Sequence, residues 1–308
     1  MKNPNHIHVI SWCMLVFSLA SCQKDSAPAD YTTESTVHAD DQNRFSVELD
    51  AIANDANLIL ETIPGFAGRG EDVQSLICDA TIGVDTASNP RTITVTYNGT
   101  NCPGGRTRTG VIVISMAQGV RWKNPGASLQ VEFQNLRITR LIDQKSITIN
   151  GTQTYTNVTG GLLINLPGLN NITHRITSNN MTLAFDNNSL RQWNVARERI
   201  FTYNNGTVIS VTGLHTEGNI SGIAEWGTNR FGNAFTTSIS QPLVFKQDCG
   251  FRLGAGKLIH KTAFVICHVT LGLDAGGNPV SCPGANPYFM KVVWTGPEGN
   301  SHSGLFPY

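Results

Sequence analysis

The stretch Thr92–Tyr97 reads Thr-Ile-Thr-Val-Thr-Tyr and decides the predicted fold, because apolar and polar side chains alternate along it. In an extended strand, successive side chains point to opposite faces, so the isoleucine, valine and tyrosine share one face and the threonines share the other. A strand with one apolar face and one polar face is typical of an antiparallel sheet that is solvated on one side.

The same two-residue period recurs along the chain, at Leu129–Gln134, Ser146–Thr156, Ile172–Ile176, Met181–Phe185 and Phe235–Ile239. The phase of the first of these runs slips at Asn135, which predicts a β-bulge. Successive strands of this kind predict a mainly β fold: a large antiparallel meander that forms a sandwich or a flattened open barrel.

Four turn signals separate the predicted strands: Asn98-Gly99, Asn150-Gly151, Asn205-Gly206 and Asn229–Asn233. Asn205-Gly206 is the clearest, because it lies between alternating runs at Ile200–Tyr203 and Val208–Val211.

One helix is predicted, over residues 41–63. Its apolar residues recur at intervals of three and four, and Pro64-Gly65 ends the pattern. We expect this apolar stripe to pack on the sheet. The stripe consists of Phe45, Leu49, Ile52, Ala56, Ile59, Leu60 and Ile63.

The first 22 residues have the features of a bacterial lipoprotein signal. An apolar run from Val9 to Ala20 follows Lys2, is too short to span a bilayer, and ends in Leu19-Ala20-Ser21-Cys22. This pattern predicts a signal peptide over residues 1–21, lipid attachment at Cys22, and a flexible polar tether over residues 22–40. The remainder, residues 41–308, is then a single β-rich domain outside the cytoplasm.

From the predicted lipid attachment we expect an outer-membrane location, with the membrane as a partner. Several acyl chains on one N-terminus hold a soluble domain on a membrane almost permanently. Gln23-Lys24-Asp25 resembles the short charged signal of surface-exported lipoproteins, which favours an outward orientation. The alternative is an outer-membrane lipoprotein that faces inward.

The charge balance excludes nucleic acid as a predicted partner. Cleavage before Cys22 would remove Lys2 and leave 22 acids against 21 bases. A chain so close to neutral offers no basic surface for a polyanion.

The remaining cysteines support an oxidising compartment. We predict disulfides between Cys78 and Cys102 and between Cys249 and Cys282, because each pair flanks one local stretch and each second member begins Cys-Pro-Gly. Cys267 is then unpaired, and alternation places it on an apolar strand face as a buried, inert thiol.

Motifs that would carry chemistry are missing from the sequence. It contains no His-Glu-x-x-His, Gly-x-Ser-x-Gly, Gly-Lys phosphate loop or Cys-x-x-Cys. His174 alternates onto the face of Ile172 and Ile176, which favours a packed core histidine. We therefore predict no catalytic residue, no metal site and no cofactor. A catalytic triad assembled from distant positions stays open, because spatial proximity is invisible in the sequence.

Two tryptophans are candidates for stacking on sugar rings. Trp122 and Trp193 have polar neighbours, which suit exposed loops, and an exposed indole is a good platform for a glycan. The alternative is that both fill the core.

The order of these features resembles a group of outer-membrane lipoproteins of Bacteroidetes. It runs from lipid cysteine, tether and helix through the Cys78–Cys102 stretch and Gly105–Gly110 to Gly151–Asn157, and then through Thr237–Cys249 to a closing β-unit. The resemblance implies an envelope location and a β-rich body. It implies no activity.

Three functional classes follow. The leading hypothesis is a non-catalytic envelope lipoprotein that acts as a structural or adhesive module at the cell surface and binds a surface protein or a glycan. The first alternative is a carbohydrate-binding lipoprotein of a glycan-uptake system, for which a row of exposed tryptophans on one sheet face would be decisive. The second is a secreted hydrolase, which requires acids or a His–acid pair that converge in a cleft.

Overall fold

The computed structural model describes residues 31–63, 66, 77–102 and 104–308. These residues form one long helix and an antiparallel sheet of fifteen strands. The helix α1 spans Tyr31–Thr62. The strands are β1 (Ala80–Asp85), β2 (Arg91–Thr100), β3 (Arg106–Met116), β4 (Ala127–Arg140), β5 (Ser146–Asn157), β6 (Ile172–Phe185), β7 (Leu190–Tyr203), β8 (Thr207–Gly213), β9 (His215–Glu217), β10 (Ile220–Thr228), β11 (Ala234–Lys246), β12 (Leu253–Thr262), β13 (Ile266–Leu273), β14 (Phe289–Thr295) and β15 (Ser301–Pro307).

The strands follow one another through the sheet in chain order, which confirms the predicted antiparallel meander. From β1 to β7 and from β10 to β15, each strand pairs with its neighbour in sequence. All the described strands belong to one sheet, with β1 and β15 at its two edges.

The order departs from a simple meander only between β7 and β11. Both are long, and β8 and β10 lie end to end between them: β7 pairs with β10 through Gln192–Val195 and with β8 through Arg197–Tyr203. Gly213 ends β8 where a Cβ atom would overlap the carbonyl oxygen of Gly222, so only glycine fits this junction.

The main core lies between α1 and the inner face of β2–β7. The predicted apolar stripe of α1 is buried in full, from Phe45 at 1% exposure to Ile63 at 5%. The stripe packs against strand residues such as Ile93, Val95 and Ile112. A smaller cluster joins Phe201 of β7 and Val211 of β8 to the short 3-10 helix Leu163–Gly168.

The helix begins ten residues earlier than predicted. The sequence placed its start at residue 41 and a flexible tether over residues 22–40, whereas α1 already includes Tyr31. The polar residues before position 41 show no apolar period, but His38 packs beside Phe235 of β11, with ring centroids 4.8 Å apart. Contacts with a distant strand therefore stabilise the first turns of α1, and the local sequence pattern could not show these contacts. The first part of the predicted tether, residues 22–30, lies outside the described residues.

Two of the predicted turns are wrong. Asn98-Gly99 lies inside β2 and Asn150-Gly151 lies inside β5, where the register shifts between Asn150 and Gln153. The turn at Asn205-Gly206 is confirmed between β7 and β8, and the turn at Asn229–Asn233 is confirmed between β10 and β11.

The predicted bulge at Asn135 is confirmed, and it has counterparts on the neighbouring strands. Asn135 adopts a positive φ of 49°, and its N–H donates to Asn150 Oδ1 at 2.7 Å. On β6, Asn180 repeats the arrangement and its N–H donates to Asn194 Oδ1 at 2.7 Å. These bulges form a line across β4–β7, which increases the local bend and twist of the sheet on which α1 packs.

Candidate functional site

Both predicted glycan-stacking residues are buried, so this expectation is corrected. Trp193 lies on β7 with no exposed surface. Its indole N–H donates to Glu225 Oε2 at 3.1 Å, and its ring packs 4.3 Å from the ring of Phe45 in α1. The polar residues beside it in sequence, Gln192 and Asn194, alternate to the outer face. Strict alternation through Arg191, Trp193 and Val195 is the signal that would have placed it inside.

Trp122 is also fully buried, although it precedes β4 rather than lying on a strand. Its backbone N–H donates to the carbonyl of Phe66 at 3.1 Å, and its backbone carbonyl accepts from Asn157 Nδ2 at 2.9 Å. Its ring packs 5.1 Å from that of His174. No local pattern marks this residue, because its partners come from distant parts of the chain.

Beneath α1 lies a group of ion pairs that sequence reasoning missed. We call it the ion-pair cluster. Acidic residues of the helix meet arginines of the sheet and of the β10–β11 turn. Its members are Asp41, Glu48, Asp50 and Asp55 of α1, and Arg106, Arg108, Arg191, Arg197 and Arg230.

One end of the ion-pair cluster is centred on Arg108 of β3. Its guanidinium binds both oxygens of Asp79, at 2.7 and 2.6 Å, and reaches Asp55 of the helix at 2.7 Å. It also lies over the ring of Tyr97, 4.3 Å from the centroid. Burial opposes the positive charge, but the hydrogen bonds to Asp79 and the nearby anions outweigh it and raise the pKa of Arg108.

The other end of the ion-pair cluster is centred on Asp41. Arg230 binds both of its oxygens, at 2.9 and 2.5 Å, and Arg191 lies 3.2 Å away. Asp41 and Arg191 are each 1% exposed. Burial lowers the pKa of Arg191 to about 9, while the charge of Asp41 acts in the opposite direction.

Glu225 of β10 connects the cluster to the core. Its carboxylate has no exposed surface, accepts from Ser46 Oγ at 2.9 Å and contacts Arg197. Together with the bond from Trp193, these contacts join α1, β7 and β10 at one point. The cluster therefore positions the helix on the sheet through charge-assisted hydrogen bonds, which are stronger than neutral ones.

Burial lowers the pKa values of two histidines that pack against other rings. His174 is 4% exposed and packs between Trp122 and Phe201, which confirms the predicted core histidine. Burial and the charge of Arg199 lower its pKa to about 3. His260 of β12 contacts His38, with ring centroids 4.5 Å apart, and burial and Arg191 lower its pKa to about 4.

The cysteines pair as predicted. Cys78–Cys102 and Cys249–Cys282 both form disulfides, each with Cα atoms 5.3 Å apart. Asp248 lies close to the second pair, forming the one group of three potential metal ligands found among the described residues. Because both of its cysteines are joined in the disulfide, they offer no thiolate to a metal. Cys267 is half-buried rather than fully buried as predicted, and burial raises the pKa of its thiol.

A second feature is an uncharged surface on β12–β15, which we call the aromatic face. Across these strands, the cross-strand row His260–Cys267–Trp294–His302 begins beside His38 under α1 and ends at the sheet edge. A parallel row runs from Leu258 to Gly304. The aromatic face consists of Leu258, Cys267, Val269, Met290, Val292, Trp294, His302 and Phe306.

The aromatic face lies outside both hydrophobic clusters of the described residues, neither of which includes a residue of β12–β15. Phe306 remains 42% exposed, and its ring lies 6.5 Å from that of Trp294, which is itself half-buried. The opposite face of the same strands carries Lys257, Lys261 and Lys291. The charges are thus confined to one side, which also carries apolar residues such as Ile259, Ile266 and Val293.

The two remaining tryptophans of the described chain lie on opposite faces of the sheet. Trp226 follows the inward-facing Glu225 on β10, and its ring stacks on His215 at 4.0 Å on the outer face. Trp294 belongs to the aromatic face. They therefore do not form a row on one sheet face, the arrangement that would have been decisive for a glycan-binding site.

The predicted lipid-attachment residue, Cys22, lies outside the described residues. Within them, no helix combines the length and apolar character needed to cross a bilayer. Comparison with protein families, curated proteins and solved structures finds no match to this chain.

Proposed function

We propose that this chain is a lipid-anchored, non-catalytic module of a bacterial cell envelope, which attaches to a partner through the aromatic face. The observation that carries the proposal is the division of the described chain into two parts. Residues from α1 to β11 include both hydrophobic clusters, and α1 is fixed there by buried ion pairs. Strands β12–β15 instead present an uncharged surface with an exposed aromatic ring.

The distribution of titratable groups supports a binding role. The carboxylates and guanidinium groups that converge beneath α1, such as Asp41, Glu225 and Arg191, are at most 1% exposed. They pair with one another and hold the helix, so their charges are used in the fold. An exposed apolar patch, in contrast, commonly marks a site of interaction.

The anchor is proposed from the sequence. Leu19-Ala20-Ser21-Cys22 supplies the acylation site, and an outward-facing module on a lipid anchor needs only a surface that binds. We therefore place the module at the outer membrane, facing the exterior, as in the Bacteroidetes lipoproteins that it resembles.

The experiment compares cells that display wild type, Trp294→Ala or Trp226→Ala at equal surface amounts. Autoaggregation and attachment to an abiotic surface are measured. We expect Trp294→Ala to lose most of the attachment, because its indole forms the centre of the aromatic face. Trp226→Ala removes a comparable half-buried indole from the opposite face and should behave as wild type. Equal attachment by all three strains would contradict the proposal.

A carbohydrate partner is the second candidate, and Trp294 is the observation that favours it. A half-buried indole beside His302 and Phe306 offers an apolar ring with hydrogen-bonding neighbours, as sugar stacking requires. A glycan-array screen with wild type, Trp294→Ala and Trp226→Ala tests it. Binding to a glycan that only Trp294→Ala loses would establish a glycan site. If wild type binds no glycan on the array, the carbohydrate-binding function is contradicted.

A further inference from the structure

Strand β15 forms an edge of the described sheet, where it pairs with β14 alone. Its register runs through seven consecutive pairs, Phe289–Pro307 to Thr295–Ser301, without a bulge. Edge strands are commonly protected from further pairing by charged side chains, prolines or bulges. The sequence of β15, Ser-His-Ser-Gly-Leu-Phe-Pro, contains no acid, lysine or arginine, and its proline is the last residue. Apart from Pro307 at its end, this edge therefore lacks the usual protection.

The hydrogen bonds at the two ends of the β14–β15 pair show which backbone groups face outward. Gly296 donates to Asn300 at 3.1 Å, and Tyr308 donates to Tyr288 at 2.8 Å. Hydrogen-bonded pairs alternate with non-bonded pairs in an antiparallel ladder, so His302, Gly304 and Phe306 bond to β14. The N–H and C=O groups of Ser301, Ser303 and Leu305 consequently point to the free edge.

We propose that a second copy of this chain pairs antiparallel with β15 about a two-fold axis at Gly304, so that the sheet continues across two molecules. This inference rests on the proposed function and deepens it, because it names a partner for the β12–β15 part of the molecule. In this register, Ser303 lies opposite Leu305 of the second copy, and their outward backbone groups bond to each other. On the aromatic face, His302 lies opposite Phe306 of the second copy.

The side chains of β15 suit a pairing with itself. Because the strand carries no acid, lysine or arginine, two copies bring no like charges together. The Phe306 ring lies over Gly304, where a Cβ atom would be 2.6 Å from the ring. Two glycines opposite each other at the axis leave space for both phenyl rings, and the two His302–Phe306 pairs then extend the aromatic face across the dimer.

A two-fold pair also closes on itself. If β15 paired instead with β1 of another molecule, the contact would be head-to-tail and would build open filaments. Strand β1 also ends at Asp85, an acid on its own edge. The uncharged β15 edge therefore favours a closed dimer.

The first test removes an outward N–H without touching the β14–β15 ladder. Ser303→Pro does this, because residue 303 occupies a non-bonded position opposite Val293. Ser303→Ala keeps the N–H and is the matched control, and Ser303→Lys adds a charge to the edge. The full chain of each variant is studied by sedimentation equilibrium, and circular dichroism checks its fold.

We expect wild type and Ser303→Ala to form dimers, and we expect Ser303→Pro and Ser303→Lys to raise the dissociation constant at least tenfold while keeping the wild-type spectrum. A wild-type monomer at every concentration would overturn the proposal. So would dimers that persist in folded Ser303→Pro and Ser303→Lys, or assemblies that grow without limit with concentration.

The second test fixes the register. Ser303→Cys and Leu305→Cys are prepared separately, mixed and oxidised mildly, and the linked peptides are identified by mass spectrometry. Residues 303 and 305 of the two copies form a bonded pair with Cα atoms about 5.5 Å apart, a distance that a disulfide spans. We expect a 303–305 link only in the mixture. A 303–303 link in the first variant alone would overturn the axis at Gly304.

The two proposals fail in different ways. Loss of attachment in Trp294→Ala cells with a monomeric purified chain would retain the proposed function and overturn the dimer. A purified dimer that Ser303→Pro disrupts, together with cell attachment that is unchanged in Trp294→Ala, would retain the dimer and overturn the proposed function.

Discussion

Asp41 accepts hydrogen bonds from the side chain of Arg230 and also pairs with Arg191, and its side chain is almost completely buried. A buried charge is costly unless it is paired, so each of these three groups depends on the others. The carboxylate therefore does more than occupy a helix position: it compensates the buried guanidinium of Arg191 and also pairs with the partly exposed guanidinium of Arg230.

Asp41→Asn should lower the free energy of unfolding by about 3 to 5 kcal/mol, because it leaves Arg191 buried and without its anion. Urea denaturation measures the loss. Asp143→Asn is the matched control, since Asp143 pairs with Arg140 on the surface, where ion pairs contribute little. Similar losses in the two variants would show that the buried pairs do not hold α1.

His174 predicts how stability depends on pH. Its pKa falls from 6.5 in the unfolded chain to about 3 in the folded chain. Between these two pH values, the unfolded chain therefore binds a proton at His174 that the folded chain does not bind. The stability contributed by neutral His174 is complete above pH 6.5 and is lost as the pH falls towards 3.

His174→Phe should keep the aromatic packing with Trp122 and Phe201 and remove this proton. Between pH 6 and pH 4, its free energy of unfolding should fall less steeply than that of wild type, by up to about 1.4 kcal/mol per pH unit for one proton. Urea denaturation at a series of pH values gives both slopes. Parallel pH profiles would show that His174 is protonated equally in the two states.

At the scale of elements, the sequence predicted what depends on short-range periodicity. The helix stripe from Phe45 to Ile63, the strand Thr92–Tyr97 and the bulge at Asn135 were all recognisable, because each pattern repeats within a few residues. The start of α1 was not, because His38 and Asp41 are held by β7, β11 and the β10–β11 turn, which are more than 150 residues away in the chain.

The same limit explains the errors at candidate sites. Asn98-Gly99 and Asn150-Gly151 have the composition of turns, yet ladder bonds and bulges keep both pairs within strands. The polar neighbours of Trp193 suggested a loop, although they are the outer-face residues of β7. The ion-pair cluster could not be inferred at all, since its acids lie on one helix and its arginines on separate strands and a distant turn.

The disulfide Cys78–Cys102 joins separate elements, because it links the residues just before β1 to the turn between β2 and β3. Cys78→Ser combined with Cys102→Ser should lower the free energy of unfolding by about 3 kcal/mol, the value expected for a closed loop of this length. Thermal and urea denaturation measure it. Cys267→Ser alters a thiol that closes no loop and should have a much smaller effect, and equal effects would contradict the assigned link.

At the scale of the whole molecule, the proposed anchor predicts where the chain is found in the cell. Cys22→Ser should remove fatty-acid labelling and release the protein from the outer-membrane fraction, because each buried methylene contributes about 0.8 kcal/mol to membrane attachment. Cell fractionation and metabolic labelling with a fatty acid measure both effects.

Cys13→Ser is the control for this experiment. Cys13 lies in the segment that the signal peptidase would remove, so its replacement should leave labelling and attachment unchanged. Membrane attachment that survives Cys22→Ser would contradict the anchor.

The division of the described chain into a core held by α1 and an accessible aromatic face is the central claim. Hydroxyl-radical footprinting of the full chain tests it most directly, because the labelling rate of each tryptophan reports its access to solvent. We predict rapid labelling of Trp294 and Phe306 and negligible labelling of Trp122 and Trp193 in the folded protein. Labelling of Trp122 or Trp193 as fast as that of Trp294, or protection of Trp294 in the isolated chain, would contradict the account.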